Sequence, residues 1–308
     1  MRQAYAKRDG TIMHECKYIE ADYFTEGFAL LNTENGFTHI NMDFSKPYPY
    51  YKWLTKYFYG WAAFESFHGK KGFVDYTHQK CIYLDFDGFS RFSADGLATF
   101  NKNGFYGIIN QSGNIILSPT YTRLDVFSEG LALVEINSKC GYLNTKGEVV
   151  IPATWSNGLF FHNGLAVVCD SDNKSGCINN NGELAIPTKY SYLGPCADER
   201  ICFKKGRKYG YLNIEGEIVI PPIFEEAETF SEGYASVQFN KKWGIIDTDG
   251  KYFVKPELEM TRQFYNGYSI VVKENTVGLL SHDGEITMYP QFRNIDYPYK
   301  DIMLVIKD

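Results

Sequence analysis

The run Phe127-Ser128-Glu129-Gly130-Leu131-Ala132-Leu133-Val134 is followed by Cys140-Gly141-Tyr142-Leu143-Asn144-Thr145-Lys146-Gly147-Glu148-Val149-Val150-Ile151-Pro152-Ala153-Thr154-Trp155, and together they make one period of a repeat. A second copy reads Phe230-Ser231-Glu232-Gly233-Tyr234-Ala235-Ser236-Val237, then Trp243-Gly244-Ile245-Ile246-Asp247-Thr248-Asp249-Gly250. Working outward, the glycine at the centre of the period recurs as Gly36, Gly72, Gly107, Gly141, Gly176, Gly210, Gly244 and Gly278, in steps of 34 to 36 residues. A period of that length belongs to a tandem array of one short supersecondary unit whose neighbours share a core.

Two further glycine frames run beside the first. An opening glycine (Gly60, Gly96, Gly130, Gly164, Gly233, Gly267) precedes the recurring one by 11 or 12 residues, and a turn glycine (Gly113, Gly147, Gly182, Gly216, Gly250, Gly284) follows it by six. Each unit reads as three short antiparallel strands: one after the opening glycine, one at the recurring glycine, and one after a tight turn. The turn glycine supplies a left-handed conformation there. Asp75, Asn110, Asn144, Asn179, Asn213 and Asp247 sit where a side chain can close an Asx turn. Ala29, Ala62, Ala98, Ala132, Ala166, Ala235 and Ser269 mark a close approach between hairpins, and Pro119, Pro152, Pro187, Pro221, Pro256 and Pro290 are expected to end the third strand.

The whole chain, 1–308, is therefore expected to be a single all-β array, with divergent units over 1–95, regular units over 96–292 and a terminal strand over 293–308. Gly10 behaves as a turn glycine, so the chain starts inside a unit, and Asp301–Ile306 supplies a first strand without the rest. Those ends fit either an open β-solenoid or a closed propeller-like ring in which the last strand completes the first unit. A unit of 34 residues is short for a four-stranded blade of roughly 40–45, so the open array is the expectation.

Composition narrows the function. Aromatics reach 17%, with 24 Tyr and 23 Phe, as strands favour. A net charge of −6 argues against a nucleic acid partner, and the one basic cluster, Lys204, Lys205, Arg207 and Lys208, falls in an expected hairpin loop. The first ten residues lack the apolar core of a signal peptide, and no run of about 18 apolar residues could span a membrane. Seven cysteines without a CxxC pair suggest free thiols and a cytoplasmic location.

The pair Trp243-Gly244, the preceding Phe230-Ser231-Glu232-Gly233 and the following Asp247, Gly250 and Pro256 resemble the bacterial WG (KWG) repeat family. Every unit keeps the frame, but Tyr106, Cys140, Ser175, Tyr209 or Val277 stands in the tryptophan slot elsewhere. The resemblance implies an all-β repeat array without a family-wide activity, so it carries over no catalytic residue.

No constellation for chemistry emerges. His14-Glu15-Cys16 and the trio His68, His78 and Cys81 lack structural-zinc spacing. Asp85 and Asp87 lack the alternating oxygen ligands of a calcium loop. Glu225, Glu226 and Glu228 read as a solvated connection, and neither a nucleophile elbow nor a phosphate loop is present. No cofactor or metal is expected. The segment that exceeds structural need runs from Pro47 to Trp61, and its Tyr48, Tyr50, Tyr51, Trp53, Tyr57, Tyr59 and Trp61 cannot all enter a thin core. Such side chains either form a partner-binding surface or cap the divergent units. The expected function is a non-enzymatic scaffold for another protein. The alternatives are a carbohydrate or cell-envelope ligand module and, more weakly, a hydrolase within the irregular first part.

Overall fold

In the computed structural model, which describes residues 2–44 and 48–307, every regular element is a β-strand. Nine small antiparallel sheets follow one another along the chain, and the ninth joins its two ends. Strand Ile302–Lys307 pairs with strand Arg2–Lys7 in register from Arg2↔Lys307 to Lys7↔Ile302. Ion pairs Arg8–Asp301 (2.6 Å) and Lys307–Glu15 (2.7 Å) flank that seam. The array is thus a closed nine-bladed β-propeller, which overturns the open solenoid expected from unit length.

The reason lies in the connection between units, which hides a fourth strand. Seven of the nine sheets have four strands, the added one being an innermost strand, mostly of two residues, such as Asn157–Gly158 or Glu226–Ala227. Short hairpin turns and this minimal inner strand fit a four-stranded blade into 34 residues. By residue number, blade 1 spans 20–41, blade 2 53–84, blade 3 88–121, blade 4 124–155, blade 5 157–190, blade 6 193–224, blade 7 226–258, blade 8 260–288, and blade 9 294–307 with 2–15. Blades 1 and 4 are three-stranded.

The recurring glycine answers to close packing rather than to backbone conformation. A Cβ on Gly141 would lie 2.5 Å from the Ile151 carbonyl oxygen and 2.7 Å from the Ala153 nitrogen, because the outer strand bulges inward there. Pro119, Pro152, Pro187, Pro221 and Pro256 sit inside outer strands such as Val149–Trp155 rather than at their ends, whereas Pro290 follows the end of strand Ile286–Met288 as expected. An edge strand accepts a residue without an N–H donor at such a place. The turn glycines are left-handed as expected (Gly147, φ 80°), and Asn144 Oδ1 accepts from the Lys146 and Glu148 amides. The small residues, Ala132 and Ala166 among them, are buried in clusters shared with the preceding blade.

Strand pairing changes the register of blade 1. Gly141 pairs with Val134, four residues past its opening glycine, and the residue so placed after Gly27 is Thr38, paired with Leu31. Gly36 is two residues out of frame, which accounts for the long first step. The next position, held by Tyr142 in blade 4, is held by His39 in blade 1 and Tyr5 in blade 9.

Two devices tie blades together. In the first, that side chain reaches the following blade's inner strand: Tyr142 Oη donates to Leu159 O (2.8 Å), Tyr211 to Glu228 O (2.7 Å) and Tyr5 to Asp22 O (2.7 Å). The second explains the Phe-Ser-Glu-Gly run. Ser128 Oγ donates to Phe161 O (2.7 Å), while the Glu129 carboxylate accepts from the Asn163 and Gly164 amides (2.7 and 2.9 Å). Ser231 and Glu232 repeat this on Phe264 O and the Gly267 amide, and Glu26 holds the Tyr59 and Gly60 amides.

Candidate functional site

A cavity of about 1250 Å³ opens at the inner edge of the ring, bounded by blades 3 and 4 and the neighbouring turns of blades 1, 2 and 5. It exists where the regular construction fails. Blade 4 has no inner strand beyond the single bridge Leu124↔Val134, and the blade 3 turn Phe92-Ser93-Ala94-Asp95-Gly96 carries one residue more than Phe127-Ser128-Glu129-Gly130. With the extra residue, Ser93 Oγ accepts from the Asp95 amide (3.3 Å), and among the described residues no blade 3 side chain hydrogen-bonds to the blade 4 turn, although Leu97 and Ile108 pack in one cluster with Phe127.

Most polar groups of the cavity wall have structural partners. The Glu26 and Glu129 carboxylates and the Ser128 hydroxyl hold the next blades, Asp125 pairs with Arg123 (3.2 Å), His162 meets Cys196 O, and the Ser90 hydroxyl lies between Arg91 O and the Thr99 amide. Two charges remain. The Arg91 guanidinium sits 4.7 Å from the Phe58 ring centre, and the exposed Asp95 carboxylate has no partner among the described residues. Tyr59 and Phe160, 54% and 46% exposed, present their rings at this opening. Desolvated aromatic area beside a few oriented polar groups binds protein segments and organic ligands.

The aromatic segment of the sequence divides among different environments. Tyr57 is buried and Leu54 beside it is core, whereas Tyr50, Trp53 and Tyr59 are exposed. Trp53 pairs with Glu65 at one end of strand Trp61–Glu65, while Tyr59 lies in the turn at the other end, about 16 Å away at the usual strand rise. Trp61 packs against Phe92 (ring centres 5.9 Å apart). Pro47 lies outside the described residues.

Tyr48, Tyr51 and Tyr57 instead gather around a histidine pair. Tyr51 Oη and Tyr57 Oη contact His78 Nδ1 and Nε2 (2.9 and 2.8 Å), and the Tyr48 ring stacks on His78 at 4.7 Å. His39 donates from Nε2 to Thr55 O (2.8 Å), so its buried Nδ1 is an acceptor, without a partner among the described residues. Burial holds His39 down to about 3 and His78 down to about 4, so both rings are neutral. His68 is exposed and apart, and among the described residues no cluster of three His, Cys, Asp or Glu could hold a metal. Asp87 caps the Asn103 amide and Glu225 the Lys241 amide, as loop carboxylates do. Glu228 departs from the solvated reading: it is half-buried, which raises its carboxyl above the usual range. The sequence reading missed the cavity, whose signal was the single added residue in Phe92–Gly96.

The described residues contain no helix long and apolar enough to cross a membrane. A family described as "WG containing repeat" matches residues 106–140, 141–174, 176–209, 209–243 and 243–276, together more than half of the chain. No curated protein sequence matches. Among solved structures, a eukaryotic initiation factor is similar at 11% identity, over 95% of this chain and 96% of that one, with a TM-score of 0.61. BamB from Moraxella catarrhalis (10%, 94% and 96%, 0.42) and Hsv2 of Kluyveromyces lactis (11%, 87% and 96%, 0.43) are more distant in shape. At these identities the first likeness speaks to the fold alone, and the other two carry no argument.

Proposed function

The chain belongs to the WG-repeat family, and from that premise we propose that it is a non-enzymatic scaffold that seats a partner protein at the cavity of blades 3 and 4. One observation carries the reading: the opening exposes Tyr59 and Phe160 while nearly every polar group around it is already engaged in holding blades together. A hydrolase needs an acid and a base in contrasting environments within reach of a substrate. Here the free pair is Arg91 and Asp95, which gives binding chemistry. The seven free thiols, four of them buried, support a reducing compartment such as the cytoplasm. Within the aromatic segment, Trp53 and Tyr59 face opposite ends of blade 2 and form no single sugar-stacking platform, so the carbohydrate alternative rests on Tyr59 and Phe160 at the opening.

The test compares the parent protein with Phe160→Asp, each immobilised and exposed to native lysate and to a glycan array. A partner protein held by the parent and lost from the variant supports the scaffold. Equal capture by both, glycan binding that survives the substitution, or turnover of a substrate by the purified chain would each overturn it.

A further inference from the structure

The turn of blade 4 displays an unfilled copy of a contact that the molecule makes elsewhere. At blades 4 and 5 the receiving turn offers one carbonyl, Phe161 O, and two amides, of Asn163 and Gly164, to a serine hydroxyl and a glutamate carboxylate of the preceding blade. The corresponding groups of blade 4 are Phe127 O and the amides of Glu129 and Gly130. Among the described residues none of the three has a hydrogen-bond partner, and Phe127, Ser128 and Glu129 line the cavity. Glu129 (φ 55°) and Gly130 (φ 78°) hold the left-handed conformation shared by the filled turns, so both amides point the same way.

We propose that this turn binds a partner-protein segment in which a serine or threonine precedes a glutamate or aspartate, the partner supplying the hydroxyl and carboxylate that blade 3 fails to supply. The proposal rests on the scaffold reading and names the chemistry of its partner. A glutamate within the receiving turn does not bar an acidic guest. Blade 7 receives through Ser231-Glu232-Gly233, the same residues as Ser128-Glu129-Gly130, and there the Asp198 carboxylate accepts from the Gly233 amide at 2.7 Å. Arg91 on the cavity wall adds a cation on the approach, and the exposed Tyr59 and Phe160 rings take the apolar residue that precedes the serine in the internal copies. Hydrogen bonds from amides to a carboxylate are short and strong, and an amide isostere weakens them without changing shape.

The chain also provides its own competitor. Deleting Ala94 together with Asp95→Glu converts the blade 3 turn to Phe-Ser-Glu-Gly, the sequence that fills this contact elsewhere. The probe is an acetylated, amidated Phe-Ser-Glu-Gly peptide, followed through the amide resonances of Glu129 and Gly130. With the parent protein those two signals should move on titration, and the Phe-Ser-Gln-Gly peptide should bind about tenfold more weakly or worse. The shortened Asp95→Glu variant should no longer respond. Unmoved Glu129 and Gly130 signals, equal binding of the glutamine peptide, or undiminished binding by the variant would sink the proposal. If the variant does not fold, the two peptides on the parent protein still decide. A peptide that fails while partner capture remains dependent on Phe160 removes this inference and leaves the scaffold standing.

Discussion

Between blades 4 and 5, Tyr142 donates to Leu159 O and its ring meets Phe161 edge-on, with centres 4.9 Å apart. Between blades 1 and 2, His39 donates to Thr55 O from the same strand position, and its ring lies 4.2 Å from Tyr57. The bond and the aromatic contact are shared, but the surroundings differ. Tyr142 sits among Leu131, Leu133, Val168 and Ile178, while His39 sits beside tyrosines and a second histidine. The repeat therefore fixes where an inter-blade contact is made and leaves its chemistry open. A blade that exchanges tyrosine for histidine keeps the geometry and acquires a titratable donor.

The largest expected effect tests whether the divergent aromatics support the fold or face a partner. Tyr57→Ala removes a buried ring and should cost about 3–5 kcal/mol, read as a shift in the urea midpoint. Trp53→Ala, at a side chain 42% exposed, should stay within about 0.5 kcal/mol. Comparable losses would erase the division of that segment between core and surface.

A second pair of substitutions tests the register assigned to blade 1. Gly141→Ala must push the Ile151 carbonyl outward and should cost about 1–3 kcal/mol. Thr38 occupies the same slot without a clash, since the outer edge there is the segment near Tyr48, whose carbonyl accepts from Thr38 Oγ1 (2.6 Å). Thr38→Gly should be destabilising by about 1 kcal/mol, through a lost hydrogen bond and a freer unfolded chain. If glycine at position 38 stabilised the protein, the two positions would not be equivalent.

A third comparison concerns pH. His39 and His78 stay neutral in the folded chain down to about 3 and 4, whereas an unfolded histidine takes up its proton near 6.5. Between those limits the unfolded state binds more protons, so stability falls as the pH drops from 6.5 toward 4. The groups around the pair are Tyr48, Tyr51, Tyr57 and Asp75, and of these Asp75 alone favours the charged ring of His78. Denaturation between pH 7 and 5 should show a slope that the double variant His39→Gln/His78→Gln loses by about two protons. Tyr142→Phe, which removes the matching bond in blade 4, should cost about 1 kcal/mol with the same slope as the parent. An unchanged slope in the histidine variant would break the comparison.

Much of this architecture was legible because its causes are local. The left-handed turn glycines and the Asx closure at Asn144 depend on a few consecutive residues, and both stand where the sequence places them. The inner strands escaped notice because two residues such as Asn157–Gly158 carry no periodicity. The Phe-Ser-Glu-Gly run was visible as a motif, yet its purpose was not, because its acceptors lie one blade away. The cavity was harder still, since it arises from a contact that one inserted residue removes.

By itself, the sequence determined an all-β array of units on one spacing frame and the place of most tight turns. Tertiary structure alone decided that the array closes into nine blades, that Thr38 rather than Gly36 holds the recurring slot, and that the 3–4 junction stands open. The physical reason is one of range. Turn conformation is set by neighbours in the chain, whereas closure sums a small rotation over every blade and is sealed by pairing Arg2–Lys7 with Ile302–Lys307, the two segments most distant along it.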